Sequence, residues 1–153
     1  MIQIENFSLD EFDAAGEPGT GGNMRAGTLL KLQAMRAHYG SPLSIRHGFR
    51  TAKAAQRIRA SYPGAVKNSA HEGGYAVDIM PLGGFTTIES WLNFLEAAWE
   101  AGFRRFGIMA HTVHLDDDPK RVSPAMWDYP GATLPNIWAI VHDWFQKKKS
   151  NGG

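Results

Sequence analysis

Cysteine is absent from all 153 positions, which removes disulfides, thiolate nucleophiles and Cys-based zinc sites together. No uninterrupted apolar run is long enough to cross a bilayer, so no membrane span is expected. Neither charge sign dominates. Sixteen Lys and Arg stand against 15 Asp and Glu, a formal net charge of +1, which gives no support to nucleic acid as a partner. The opening Met-Ile-Gln-Ile-Glu-Asn lacks the basic start and apolar stretch of a secretory signal peptide. Synthesis in the cytoplasm without a signal peptide is therefore expected, with any release by another route. Internal repeats and low-complexity blocks are missing too. A metal, if one is bound, must be held by His, Asp or Glu.

What remains is an ordinary globular composition, 43% apolar and 20% charged, in a chain of a length that suits one domain over residues 1–153. Ser8–Asp13 reads as a short helix, with Ser8 and Glu11 at capping-box spacing. Gly16–Asn23 reads as a surface loop and Asn151–Gly153 as a frayed tail. The spacing predicts a helix over Met24–Tyr39, with Leu29, Leu32, Met35 and Tyr39 on one face and Gly40 as its stop. Leu43–Phe49 reads as a strand with Leu43, Ile45 and His47 on one side, and Ala52–Ser61 as a helix ended by Pro63-Gly64.

Tyr75–Met80 is a predicted strand whose Asp78 faces away from Val77 and Ile79. Ile88–Ala101 is the clearest helix, with Ile88, Trp91, Leu92, Leu95, Ala98 and Trp99 as its stripe and Thr86 with Glu89 as its capping box. Phe106–Met109 and Thr112–Asp116 are short strands, and Pro135–Lys148 is a final amphipathic helix. The expected class is α+β: a small, mainly antiparallel sheet with helices packed on one side.

Chemistry concentrates in Ser69-Ala70-His71-Glu72-Gly73-Gly74-Tyr75-Ala76-Val77-Asp78 and in His111-Thr112-Val113-His114-Leu115-Asp116. A carboxylate on a strand that enters the core is costly unless it is paired or coordinates a metal. Two His and one carboxylate fill three positions around zinc and leave the fourth for water, the catalytic pattern rather than the closed structural one. His38 and His142 read as surface or hydrogen-bonded residues.

Ser69-Ala70-His71, followed after two residues by Gly74-Tyr75-Ala76-Val77-Asp78-Ile79, resembles the signature of the zinc D-Ala-D-Ala carboxypeptidase family. That family, which shares the hedgehog/D-Ala-D-Ala-peptidase fold, includes L-alanyl-D-glutamate endopeptidases and D-Ala-D-Ala dipeptidases. Thr112-Val113-His114-Leu115-Asp116 is similar to its later strand, His47-Gly48-Phe49-Arg50 to its Ser-Gly-Tyr-Arg turn, and Asn6-Phe7-Ser8-Leu9-Asp10-Glu11-Phe12 to the opening of its short phage and bacterial members. Trp127 resembles its closing Trp. The resemblance runs over about residues 6–127 and leaves a C-terminal helical extension over 130–149.

Carried over by position, the resemblance implies that His71, Asp78 and His114 bind one catalytic zinc and that Arg50 steadies a substrate carboxylate or the oxyanion. An Arg fork suits a planar carboxylate. Many relatives carry Glu or Asp three residues before the last zinc ligand; here His111 stands there, and a neutral imidazole can take a proton near neutral pH. Glu72 is the other candidate base. Ser69 is a candidate for steadying the His71 loop and for binding substrate; no Gly-x-Ser-x-Gly elbow marks it as a nucleophile. Asp116 is a candidate to orient a ligand or to hold Arg50. His47, where the family has Ser, reads as a surface residue, and Trp127 and Tyr129 as packing under the C-terminal helix or walls of the cleft.

The implied function is a zinc peptidase hydrolysing peptidoglycan stem peptides or cross-bridges, as a carboxypeptidase or an endopeptidase. The implied setting is phage-lysin-like, with release to the wall by lysis or carriage on a phage particle. Two alternatives stay open: an inactive zinc-binding or structural module on the same fold, which the missing acidic base favours, and a cytoplasmic D-Ala-D-Ala dipeptidase.

Overall fold

A computed structural model describes residues 5–64, 68–129 and 135–152; the N-terminal residues 1–4, the start of the expected extension at 130–134 and the last tail residue lie outside them. Two short 3-10 turns, Leu9–Phe12 and Thr20–Asn23, lead into α1 (Ala26–Tyr39), β1 (Leu43–His47), α2 (Ala52–Ser61), β2 (Ala76–Pro81) and α3 (Ile88–Glu100). Strands β3 (Arg105–Ile108), β4 (Val113–Asp116) and β5 (Ala125–Asp128) and helix α4 (Pro135–Ser150) complete the order. The Gly-rich stretch read as a plain loop thus contains a helical turn. Asp13 holds it, accepting from the Gly19 and Gly21 N–H groups at 3.1 and 2.7 Å.

The five strands lie in the order β1-β2-β4-β3-β5. The first three pairings are antiparallel and β3-β5 is parallel, so the sheet is mainly antiparallel as expected. Strand β5 went unread in the sequence because its four residues show no clean alternation of burial and lie just after Pro124.

Val77 and Ile79 of β2, Val113 and Leu115 of β4 and Phe106 and Ile108 of β3 are fully buried and meet Leu32, Met35, Phe94, Leu95, Val141 and Phe145 from α1, α3 and α4. Helix α2 stands apart from this core. Its Ala55, Ile58 and Arg59 border the opposite face of the sheet, beside Asp78 and His114. Helix α3 starts at Ile88 as read, but its cap is shifted by one residue: Thr87 is the N-cap, and Thr87 with Ser90 forms the capping box in place of Thr86 with Glu89. Ile88 is 45% exposed, outside the stripe, whereas Phe94 is fully buried.

One row of residues crosses the whole sheet. His47 pairs with Asp78, Asp78 with His114, His114 with Gly107 and Gly107 with Trp127. Cross-strand partners share a face, so this row lies on the side away from the helical core. His47 joins it only because the β1-β2 register shifts between Ile45 and His47. The sequence alternation had grouped His47 with Leu43 and Ile45; a bulge adds one residue and turns His47 to the other face.

Candidate metal centre

Asp78 and His114 are neighbours on β2 and β4, and His71 arrives from the turn that precedes β2. Gly74 makes that turn possible. Its φ is +77°, and a Cβ there would stand 2.4 Å from the Asn23 carbonyl oxygen. The turn is closed by His71, whose carbonyl accepts from the Arg50 and Gly74 N–H groups at 3.1 and 3.3 Å. Ser69 Oγ accepts from the His71 N–H at 3.2 Å, and Glu72 reaches back to the Ser69 N–H at 2.8 Å.

His71, Asp78 and His114 are all buried, and one ligand atom of each lies within 4.8 Å of the other two. The atoms follow from the partners of the opposite ring nitrogens. The Gly48 carbonyl can only accept, so His71 Nδ1–H donates to it at 2.8 Å. This leaves a lone pair on His71 Nε2, 3.3 Å from Asp78 Oδ1. His114 Nε2–H donates to Asp116 Oδ2 at 2.7 Å, which turns His114 Nδ1 toward the same Asp78 Oδ1 at 3.2 Å. Both imidazoles thus present one nitrogen to one carboxylate oxygen, with their other N–H anchored by the protein, as metal-ligating histidines are. The donor set fits zinc, being two nitrogens and one oxygen with room for a further ligand.

The electrostatics agree with a cation at this point. Burial would raise the Asp78 carboxyl, but the side chains of His114, His47 and His71 around it hold it well below the usual carboxylate range. Burial would lower the His114 imidazole, but Asp116 and Asp78 on its two nitrogens raise it overall. Without metal, Asp116 and Asp78 thus favour the protonated form of His114.

Asp116 is 1% exposed and receives two further hydrogen bonds, from Arg105 Nε at 2.8 Å and from the Asp118 N–H at 3.2 Å. Arg105, not Arg50, is its cationic partner. Arg105 also lies over the Trp127 ring, 4.9 Å from its centroid. Trp127 in turn stands 5.5 Å from the His114 ring, and Tyr129 lines the cavity beside it. These aromatics wall the cleft rather than pack under the C-terminal helix. Gly107 makes room for them: a Cβ there would be 2.8 Å from Trp127 Cε2 and from Tyr129 Cε2.

Arg50 lines a cavity of about 340 Å³ together with His71, Asp78, His114 and Tyr129, and its Nη1 donates to Ser69 Oγ at 3.4 Å. His47 is largely exposed, yet its Nδ1 reaches Asp78 Oδ2 at 3.2 Å. It steadies the carboxylate oxygen that faces away from the two imidazoles. Sequence reading assigned it to the surface, and only the bulge brings it to Asp78. Glu72 borders the neighbouring groove and lies 3.9 Å from Arg59 Nη1. Its carboxylate braces the Ser69 loop and is not turned to the ligands. His111 is exposed in the β3-β4 turn, which the Met109 N–H closes on the Thr112 carbonyl at 3.1 Å. Met109, at the start of that turn, lines the metal-site cavity.

A family model described as Peptidase M15 matches residues 5–116. Among solved structures, the chain is similar to the crystal structure of the Serratia marcescens L-Ala D-Glu endopeptidase ChiX. The two share 15% identity with a TM-score of 0.47, over 62% of this chain and 80% of that one. No curated protein matches the sequence.

Proposed function

The chain belongs to the peptidase M15 family of zinc peptidases, and from that premise we propose that it hydrolyses peptide bonds of bacterial peptidoglycan, in a lysin-like role after release by lysis or from a phage particle. The observation that carries the reading is the convergence of two imidazoles, each with its second nitrogen anchored, on one oxygen of Asp78. His71, Asp78 and His114 would hold zinc, which when bound lowers the pKa of water and polarises a carbonyl.

The protein's own groups do the rest. Hydrolysis joins a water oxygen to the carbonyl carbon, breaks the C–N bond and delivers one water proton to the departing nitrogen. His111, three residues before His114 on the turn that enters β4, is the proposed carrier of that proton. Its support is an exposed imidazole on a turn whose first residue borders the cavity. Arg50 is the proposed anchor for a substrate carboxylate or carbonyl oxygen; Ser69 aims its guanidinium from one side. Trp127 on β5 and Tyr129 just past its end line the site and limit water around the scissile bond.

The test is digestion of purified peptidoglycan by the wild type and by His114→Ala, with products identified by mass and zinc measured in both proteins. One equivalent of zinc and a defined cleavage product in the wild type, both lost in the variant, are expected. One equivalent of zinc with no product would instead make the domain a binding module. Cleavage of free D-Ala-D-Ala without action on the polymer would make it a dipeptidase.

A further inference from the structure

Three cavities adjoin one another at the site through shared lining residues. The first, of about 340 Å³, surrounds the metal ligands. The second, of about 290 Å³, is lined by His114, Asp116 and Trp127. The two share Ser69, His114 and Tyr129. The third is the largest, about 520 Å³, and joins the second through Ser69 and Arg121. Ser69 thus borders all three, and the cleft continues past the metal centre instead of closing against it.

The charges in the third cavity are unequal once internal pairs are removed. Its Glu72 is spent on the Ser69 N–H and on Arg59. Its Asp118 accepts from Arg121 Nε at 3.1 Å and from the Lys120 N–H at 3.0 Å. Arg121 gives Nη2 to the Asn68 carbonyl at 2.6 Å and so ties the two walls together. Two cations are left. Among the described residues Arg25 donates only Nε from its side chain, to the Gly73 carbonyl at 2.9 Å, with its guanidinium 5.0 Å from the centre of the Tyr75 ring. The Lys120 ammonium has no partner among the described residues. Both side chains belong to exposed residues and can meet a ligand without breaking an internal ion pair.

We propose that the substrate peptide runs through all three cavities, and that Arg25 and Lys120 bind a carboxylate it carries away from the scissile bond. The domain is then an endopeptidase that prefers acidic peptides to their amidated counterparts. This rests on the peptidase reading above and adds the class of peptide and the mode of cleavage. A planar guanidinium and a mobile ammonium together suit a carboxylate held in partly open surroundings.

The experiment uses two synthetic stem-type peptides that differ only in one side-chain group, carboxylate or carboxamide. Binding is read by fluorescence anisotropy and cleavage by mass, for the zinc-loaded wild type and for Arg25→Gln/Lys120→Gln. The wild type should favour the acidic peptide by about tenfold in affinity, as two solvent-exposed charge contacts would give, and should cut it internally. The variant should lose that preference with its zinc content intact; Lys120→Gln alone keeps the test open if the double variant folds poorly. Equal affinity for both peptides in the wild type, or removal of only the terminal residue, would overturn the proposal while leaving a peptidase. Acid-selective binding without any cleavage would keep the groove and remove the peptidase reading instead.

Discussion

Asp116 accepts the Nε2–H of His114 at 2.7 Å, and through that bond decides which nitrogen of His114 meets Asp78. Neither residue is free to choose otherwise, because Arg105 and the Asp118 N–H already occupy the other Asp116 oxygen.

Asp116→Asn should therefore weaken zinc binding without removing a ligand. The amide keeps an acceptor for His114 but loses the charge, and changes of this kind typically cost about 10–100-fold in metal affinity. Competition against a chromophoric chelator measures it. An affinity equal to the wild type would mean that His114 is oriented by packing alone.

The metal-free protein should lose stability as pH rises from near neutrality. His114 is raised above its ordinary value of 6.5, so its contribution is complete below 6.5 and is lost as pH climbs through the higher folded value. Asp78 works in the opposite direction: its contribution is present above 3.8 and is lost only in strong acid, through its depressed folded value. Thermal unfolding of the metal-free form should thus show a Tm that falls from about pH 6.5 upward, attributable to His114 if His114→Ala removes the slope. Zinc replaces the His114 proton, so a saturating amount should flatten or reverse the trend and should release protons on binding. A metal-free Tm that rose over the same span would contradict the assigned proton.

Gly107→Ala tests the aromatic wall. The new methyl would stand 2.8 Å from the Trp127 and Tyr129 rings, so those rings must move. A cost of about 1–3 kcal/mol in denaturant unfolding is expected, as for other overpacked sites. Peptide cleavage should fall as well, while one equivalent of zinc should still bind at His71, Asp78 and His114. A variant as stable and as active as the wild type would show that the wall is not rigid.

His111→Ala should lower turnover by about 100-fold or more, the usual worth of a positioned proton carrier, with zinc content unchanged. Steady-state kinetics and metal analysis on the same sample separate the two effects. Unaltered turnover would assign the proton to another group.

Arg50→Lys should raise KM more than it lowers kcat if Arg50 anchors a substrate carboxylate, because an ammonium cannot copy the planar fork. Equal kinetics for both proteins would remove Arg50 from substrate contact.

Helices and strands with strong periodicity could be read from the chain alone, because burial of Leu29, Leu32 and Met35 or of Val77 and Ile79 needs only the local repeat of side chains. A carboxylate on a strand entering the core pointed to a paired or metal-bound group, and the full ligand set of His71, Asp78 and His114 was legible through the resemblance of their two motifs to a known family. Periodicity does not carry pairing. The parallel partner of β3, the bulge that turns His47 to Asp78, and the choice of Arg105 over Arg50 for Asp116 all depend on strands distant in sequence meeting in one register. The same is true of Gly107, whose missing side chain has meaning only under Trp127 and Tyr129. Residue types and local order determined which groups can bind a cation; three-dimensional packing decided which nitrogen of each imidazole does so, since that choice is made by the acceptor on the far side of the ring.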